Sequence, residues 1–237
     1  MRNFALLSLA LSMGALPLAA QFEGTIVMKT DNNTNGKTQT MTWYVRPGQV
    51  AMSVPMGEVK DNATGEFRMV IDAGAHTSTM LMPMTPEMAK GMGAMMPNAK
   101  GLKIVTKTDS MSISKEGNDV TITRLGTSET IAGVACDDYS IVGKDKDVTT
   151  ACISDKMGDF MFPSTTMGRR SAPPAWSRAF GNRPAFPLKV TDDKGRVELE
   201  AVSITRGPVP ASEFVIPDGY VDMSAIMGGR GRGPGGM

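Results

Sequence analysis

The sequence predicts a mainly β protein built around an antiparallel sheet with one solvated face. Along most of the chain, short runs of alternating apolar and polar residues are separated by turn-forming clusters, which is the pattern of half-buried antiparallel strands. No long helical segment alternates with these runs, which argues against a parallel arrangement of βαβ units. Aromatic residues make up only 5% of the chain, so the core must come from aliphatic residues and methionine.

The N-terminal half shows the alternation most clearly. Within "TQTMTWYVR" one face carries Met41, Trp43 and Val45, and within "EFRMVID" one face carries Phe67, Met69 and Ile71. Asn35-Gly36 favours a hairpin turn, because both residues tolerate positive φ. The other runs with strand character are GTIVMKT, QVAMSV, HTSTMLM, LKIVTKT, SMSIS, VTITRL, FPLKVTD and RVELEAVSIT.

Helical signals are few and short. Thr85-Pro86-Glu87 combines a capping hydroxyl, a proline at the first helical position and an acid in the first turn, so it predicts a helix start. This helix is expected to end near Gly91 or Gly93. A second short helix is expected after Ser154, and a third over residues 171–181.

The N-terminus predicts a signal peptide at residues 1–20. Arg2 is followed by an apolar run from Phe4 to Leu18, and Ala19-Ala20 supplies small residues for cleavage. The run is shorter than the ~20 residues that cross a bilayer, so we expect no transmembrane segment. A single domain is expected over residues 21–223, followed by a disordered Gly/Arg-rich tail at 224–237. The protein should therefore be exported, and periplasmic if its source is a Gram-negative bacterium.

Cys136 and Cys152 are the two cysteines of the chain. An even number of cysteines in an exported protein favours a disulfide. Gly133 to Val142 and Val148 to Ser154 read as two strands of a hairpin, and the midpoint between the cysteines, residue 144, falls in the turn. A hairpin centred there would place the two cysteines opposite one another, within disulfide range.

Composition and motifs argue against several functions. The formal net charge is +1, with 25 basic and 24 acidic residues, so no nucleic-acid partner is expected. The chain has one histidine, no nucleophile elbow, no phosphate-binding loop, no HExxH motif and no GxGxxG in a strand–helix context. We therefore expect no enzymatic activity, no catalytic residues and no cofactor.

The segment "MLMPMTPEMAKGMGAMM", residues 80–96, holds seven methionines and allows three interpretations. Methionine fills irregular gaps, so the segment could be a helix packed over the sheet. With glycines to loosen it, the same helix could be a movable lid over an apolar ligand. Thioethers also select Cu(I), for which the candidate ligands are Met80, Met82 and Met84.

Several segments together resemble a known family. In order they are FEGTIVMK, TWYVRPGQVAMSV, MVIDAGAHTSTMLMP, ETIAGVACDDYSI, ACIS, FPLKV and FVIPDGYVDM. This order resembles the exported domain-of-unknown-function family 4412, which looks like a relative of the LolA/LolB-like lipoprotein carriers. The resemblance covers about residues 22–223, and its most specific part is the motif of Ile131, Ala132, Gly133, Cys136 and Tyr139. It implies a strongly curved antiparallel sheet, an open half-barrel, with two or three short helices on its concave side.

Sequence and resemblance together predict a non-catalytic binding or carrier protein for an apolar, lipid-like ligand in the cell envelope. An envelope protein is a second kind of expected partner, and a structural domain with a self-filled core is the remaining alternative. The candidate ligand-binding residues are Trp43, Phe67, Met69, Ile71, Met80, Met82, Met88, Met92 and Met96.

Overall fold

The computed structural model describes residues 22–32, 37–58, 64–92, 94, 96–107, 120–144, 147–157 and 186–224. It contains twelve strands, one α-helix and one 3-10 helix within these ranges. The strands are β1 (Gly24–Asn32), β2 (Lys37–Arg46), β3 (Gln49–Glu58), β4 (Thr64–Asp72), β5 (Thr77–Pro83), β6 (Gly101–Lys107), β7 (Thr121–Ile131), β8 (Val134–Val142), β9 (Val148–Ser154), β10 (Phe186–Thr191), β11 (Val197–Arg206) and β12 (Tyr220–Asp222). The helices are α1 (Pro86–Met92) and the 3-10 helix Ala211–Phe214.

All twelve strands belong to one open sheet. Their order is β12-β6-β5-β4-β3-β2-β1-β11-β10-β9-β8-β7. Two antiparallel meanders, β1–β6 and β7–β11, are joined where β1 pairs with β11. The predicted mainly β fold is confirmed, and an open sheet of this length is consistent with a half-barrel. One feature was not predicted: β12 pairs with β6 in parallel orientation.

The two faces of the first meander differ sharply. Directly paired residues share a face, and the cross-strand row Ile26, Trp43, Met52, Met69, Met80 defines what we call the apolar face. The predicted alternation in β2 and β4 is therefore confirmed. The main core lies on this face and continues into the second meander, where it includes Leu188, Val190 and Leu199.

Helix α1 begins as the sequence predicts. The Thr85 hydroxyl accepts a hydrogen bond from the Met88 amide at 3.3 Å, and the Thr85 carbonyl accepts one from the Ala89 amide at 2.8 Å. The helix ends at Met92, between the expected Gly91 and Gly93, so Met96 lies beyond it. Of the helix predicted after Ser154, only residues 155–157 are described, and they form a turn. The rest of that helix and five other predicted features lie outside the described residues: the helix at 171–181, the strand SMSIS, the Asn35-Gly36 turn, the signal peptide at 1–20 and nearly all of the tail at 224–237.

The disulfide between Cys136 and Cys152 is formed, with their Cα atoms 5.3 Å apart. The register of the hairpin differs from the predicted one. Cys152 pairs directly with Asp138, so the hairpin is centred one residue later than residue 144 and the cysteines are diagonal neighbours. Because a shift of two positions keeps both side chains on the same face, the bond still forms.

The motif Ile131-Ala132-Gly133 turns the chain between β7 and β8. Ile131 pairs with Val134, which leaves Ala132 and Gly133 as a two-residue loop. Their φ angles are 49° and 79°, as a type I′ hairpin turn requires. The turn explains why a glycine stands at this point of the motif.

A C-terminal arm, residues 207–224, crosses the face opposite to the apolar one. Its 3-10 helix buries Phe214 against Ala51 and Val70. Arg46 lies over the Phe214 ring at 4.2 Å, and Arg68 donates to the Glu213 carbonyl at 2.7 Å. The arm thus gives this otherwise polar face a small apolar core of its own.

Loss of the disulfide should lower the free energy of unfolding by roughly 3 kcal/mol, since it closes a short loop in the unfolded chain. Urea unfolding of a Cys136→Ser/Cys152→Ser double variant, compared with the parent protein, measures this. Alkylation of the unreduced protein followed by mass analysis is the independent check. Two freely alkylated thiols would contradict the bond.

Phe214→Ala should lower the free energy of unfolding by about 3 kcal/mol, because it removes the side chain at the centre of the second core. Val215→Ala is the matched control, since the neighbouring Val215 is 58% exposed and should change stability by at most about 0.5 kcal/mol. Urea unfolding measures both. Equal effects of the two substitutions would show that the arm does not dock through Phe214.

Candidate functional site

Methionine is concentrated on the apolar face. Every methionine that lies in a described strand points to this face, as the pairing register of β1–β5 shows. These residues are Met28, Met41, Met52, Met56, Met69, Met80 and Met82. The concentration of methionine thus follows the architecture of the sheet in this part of the chain.

A half-buried apolar patch occupies the end of this face that is formed by β3–β6. Val54 pairs with Phe67, Met80 pairs with Ile104, and Met82 pairs with Leu102, so these side chains lie in neighbouring positions on four adjacent strands. All six are intermediate in exposure. Three of the predicted ligand-binding residues, Phe67, Met80 and Met82, are therefore brought together in this patch.

Three other candidates share the face but are buried. Trp43 has no exposed surface, and Met69 and Ile71 retain 3% and 4% of theirs. All three belong to the main core. A ligand reaches these side chains only if the protein atoms that cover them move.

The remaining candidates lie in the connection between β5 and β6. The Met84 amide donates to the Lys100 carbonyl at 2.9 Å, so the hairpin continues to this pair and the connection starts beside Met82. Met88 in α1 and Met96 after it are half-buried. Met92 ends the helix, and its side chain is not among those described. Helix α1 is thus attached at the end of the strands where the apolar patch lies.

Charge separates the two faces of the first meander. Each charged residue of β1–β6 whose side chain is described points away from the apolar face, according to the pairing register. These residues are Lys29, Asp31, Arg46, Glu66, Arg68, Asp72, Lys103 and Lys107. Burial on the opposite face raises the pKa of the Tyr44 phenol. A ligand on the apolar patch would therefore bury apolar surface there, and no described charged side chain of β1–β6 would pair with it.

A second concave region lies beside the disulfide. This groove of about 310 Å³ has Cys152 in its lining together with Glu129, Asp138 and Lys189. Three of its charged side chains are engaged within the protein: Lys189 forms an ion pair with Glu129 at 3.1 Å, and Asp138 accepts a hydrogen bond from Thr127 at 2.7 Å. Sequence reasoning did not single out this groove, because it depends on the pairing of β9 with β10. Its polar lining does not suit an apolar ligand.

Metal ligands of the usual kinds do not cluster in the described part of the chain. Within these ranges no group of three or more His, Cys, Asp or Glu side chains could hold an ion. Met84, a candidate Cu(I) ligand, is 1% exposed, whereas Met80 and Met82 are half-buried. Among the described helices, none has the length and apolar character to cross a membrane.

The geometry defines a class: an open-sheet β domain with one apolar, methionine-bearing face. The chain belongs to the family described as Domain of unknown function (DUF4412), whose model matches residues 22–220. The family resemblance drawn from the sequence is therefore confirmed. Among curated proteins, none matches the chain significantly.

Solved structures show only distant likeness. PNGF-II is 9% identical with a TM-score of 0.45, over 87% of this chain and 32% of that one. The Pseudomonas aeruginosa MucA/MucB complex is 16% identical with a TM-score of 0.39, over 83% and 55%. MucB in complex with MucA(peri) is 14% identical with the same TM-score, over 83% and 54%. The chain thus spans from 32% to 55% of the length of these chains, and the likenesses carry no argument about function.

Proposed function

We propose that this protein is an exported, non-catalytic binding or carrier protein for an apolar, lipid-like ligand in the cell envelope. The observation that carries the proposal is the half-buried patch on the apolar face, where Phe67, Met80 and Met82 lie together. The formed disulfide supports export, since such bonds persist in oxidising compartments. In a Gram-negative source the compartment would be the periplasm.

The patch suits a ligand that binds only by burying apolar surface. Removing apolar surface from water contributes about 25 cal/mol per Å², and an acyl chain needs no placed charge. Methionine suits this role because its unbranched, polarizable side chain adapts to different shapes. The charged side chains of the opposite face would keep the protein in solution while the patch is occupied.

Helix α1 is the proposed lid. It is attached beside Met82, and its methionines, Met88 and Met92, would contact the ligand together with Met96. As a lid, this segment would lie over the patch in the closed form and leave it accessible in the open form. In this proposal Trp43, Met69 and Ile71 form the deeper part of the binding surface, which is covered in the present conformation.

A protein–protein interaction domain with a self-filled core is the second candidate. The complete burial of Trp43 favours it, since that side chain already packs within the protein. The two candidates differ in one measurable respect. A carrier holds an extractable apolar molecule, whereas a self-filled core holds none.

The protein purified from its native envelope should carry lipid. Extraction with organic solvent followed by mass spectrometry identifies it, and a fluorescent fatty acid titrated into the delipidated protein gives the affinity. Absence of co-purifying lipid together with absence of fatty-acid binding would refute the carrier function and leave the interaction domain.

Met82→Glu should weaken fatty-acid binding by about tenfold or more, because the ligand would then desolvate a carboxylate. Val105→Glu is the matched control: it introduces the same charge on β6 but on the opposite face, where Val105 is 37% exposed. Fluorescence titration measures both variants. If Met82→Glu binds as tightly as Val105→Glu, the ligand does not lie on the patch.

A further inference from the structure

We propose that Met52, Met69 and Met80 form a thioether site for Cu(I). The three residues are directly paired: Met52 with Met69 across β3 and β4, and Met69 with Met80 across β4 and β5. They stand in one row on the apolar face, and Met69 lies between the other two. No other row of the described sheet brings three sulfur atoms onto three adjacent strands.

Spacing favours this row over methionines of a single strand. Directly paired residues have Cα atoms about 4.5–5.5 Å apart, so each outer methionine lies one such step from Met69. Residues two apart along one strand are separated by about 6.6 Å, since the rise is about 3.3 Å per residue. Met80, Met82 and Met84 are therefore spread over a longer distance than the row. The sulfur atoms of Met52 and Met80 can therefore approach that of Met69 more easily than the sulfur atoms of Met80, Met82 and Met84 can approach one another.

The three thioethers and the absence of described charged side chains on this face favour a soft, monovalent ion. Thioethers are uncharged and polarizable, and they bind Cu(I) in preference to harder ions. The described charged side chains of β1–β6 point to the other face, so none of them offers the oxygen ligands that Mg²⁺ and Ca²⁺ require. Trp43 on β2 and Ile104 on β6 flank the three methionines on either side.

Access to the site differs along the row. Met52 is 9% exposed and Met69 is 3% exposed, whereas Met80 is half-buried. An ion would therefore enter at Met80 and be held against the core. Met69 and Met80 also belong to the proposed lipid-binding surface, but strand pairing alone brings the three methionines together, so the site does not require a lipid-like ligand.

The test is competition for Cu(I) between the purified protein and the chelator bicinchoninate under anaerobic conditions. The wild-type protein should withdraw one Cu(I). Met52→Leu, Met69→Leu and Met80→Leu should each weaken binding at least tenfold, while each keeps the apolar volume. The control variants are Met28→Leu/Met41→Leu, a paired set on the same face, and Met82→Leu/Met84→Leu, at the end of β5 and just after it. Both controls should bind like the wild type.

Failure of the wild type to compete would overturn the proposal, and so would undiminished binding by folded Met69→Leu. Loss of binding in Met82→Leu/Met84→Leu with retention in Met69→Leu would place the ion on β5 instead. If a Leu variant does not fold, a second experiment takes its place: the wild-type protein, isotopically labelled at its methionine methyl groups, is titrated with Ag(I) and followed by NMR. The methyl resonances of Met52, Met69 and Met80 should shift on addition of Ag(I). If they do not shift, the proposed site is wrong. The copper and lipid tests are separate measurements: fatty-acid binding without competition for Cu(I) overturns the copper site alone, and competition for Cu(I) without fatty-acid binding overturns the lipid function alone.

Discussion

The pairing of β1 with β11 is the interaction on which the rest of the structure depends. It joins two meanders that would otherwise be separate sheets, with Gly24 opposite Arg206 at one end and Thr30 opposite Leu199 at the other. The two backbones approach closely: a Cβ atom at Gly24 would lie 2.1 Å from the Thr205 carbonyl oxygen, so only glycine fits. Through this contact the core of the apolar face extends into the second half of the chain.

Local patterns predicted the local structure well. Period-two alternation identified strands such as β2 and β4, and the Thr85-Pro86-Glu87 signal located the start of α1. The sequence did not predict which elements lie side by side, because the partner of a strand depends on residues far away in sequence. The parallel strand β12 and the burial of Phe214 are of this kind. The cysteine hairpin was predicted in part: sequence spacing identified the two strands and the bonded cysteines, but not the register in which the strands pair.

The candidate site shows the same division. Sequence alternation placed Phe67 and Met69 on one face, and the structure agrees. Alternation does not say that Met69 is buried while Phe67 is half-buried, because burial depends on what covers each position. The row from Met52 to Met80 was hidden for a related reason: its members are separated in sequence and meet only through the register of three strands.

The C-terminal arm has a consequence for aggregation. Unpaired strand edges are templates for pairing with other chains. The arm occupies the edge of β6: Met223 donates to the Lys103 carbonyl at 2.9 Å, and the Val105 amide donates to the Ser224 hydroxyl at 2.8 Å. Proteolytic loss of the arm would leave that edge unpaired and would uncover Ala51 on β3 and Val70 on β4. Resistance to self-association at this edge therefore resides in the last described residues of the chain, outside both meanders.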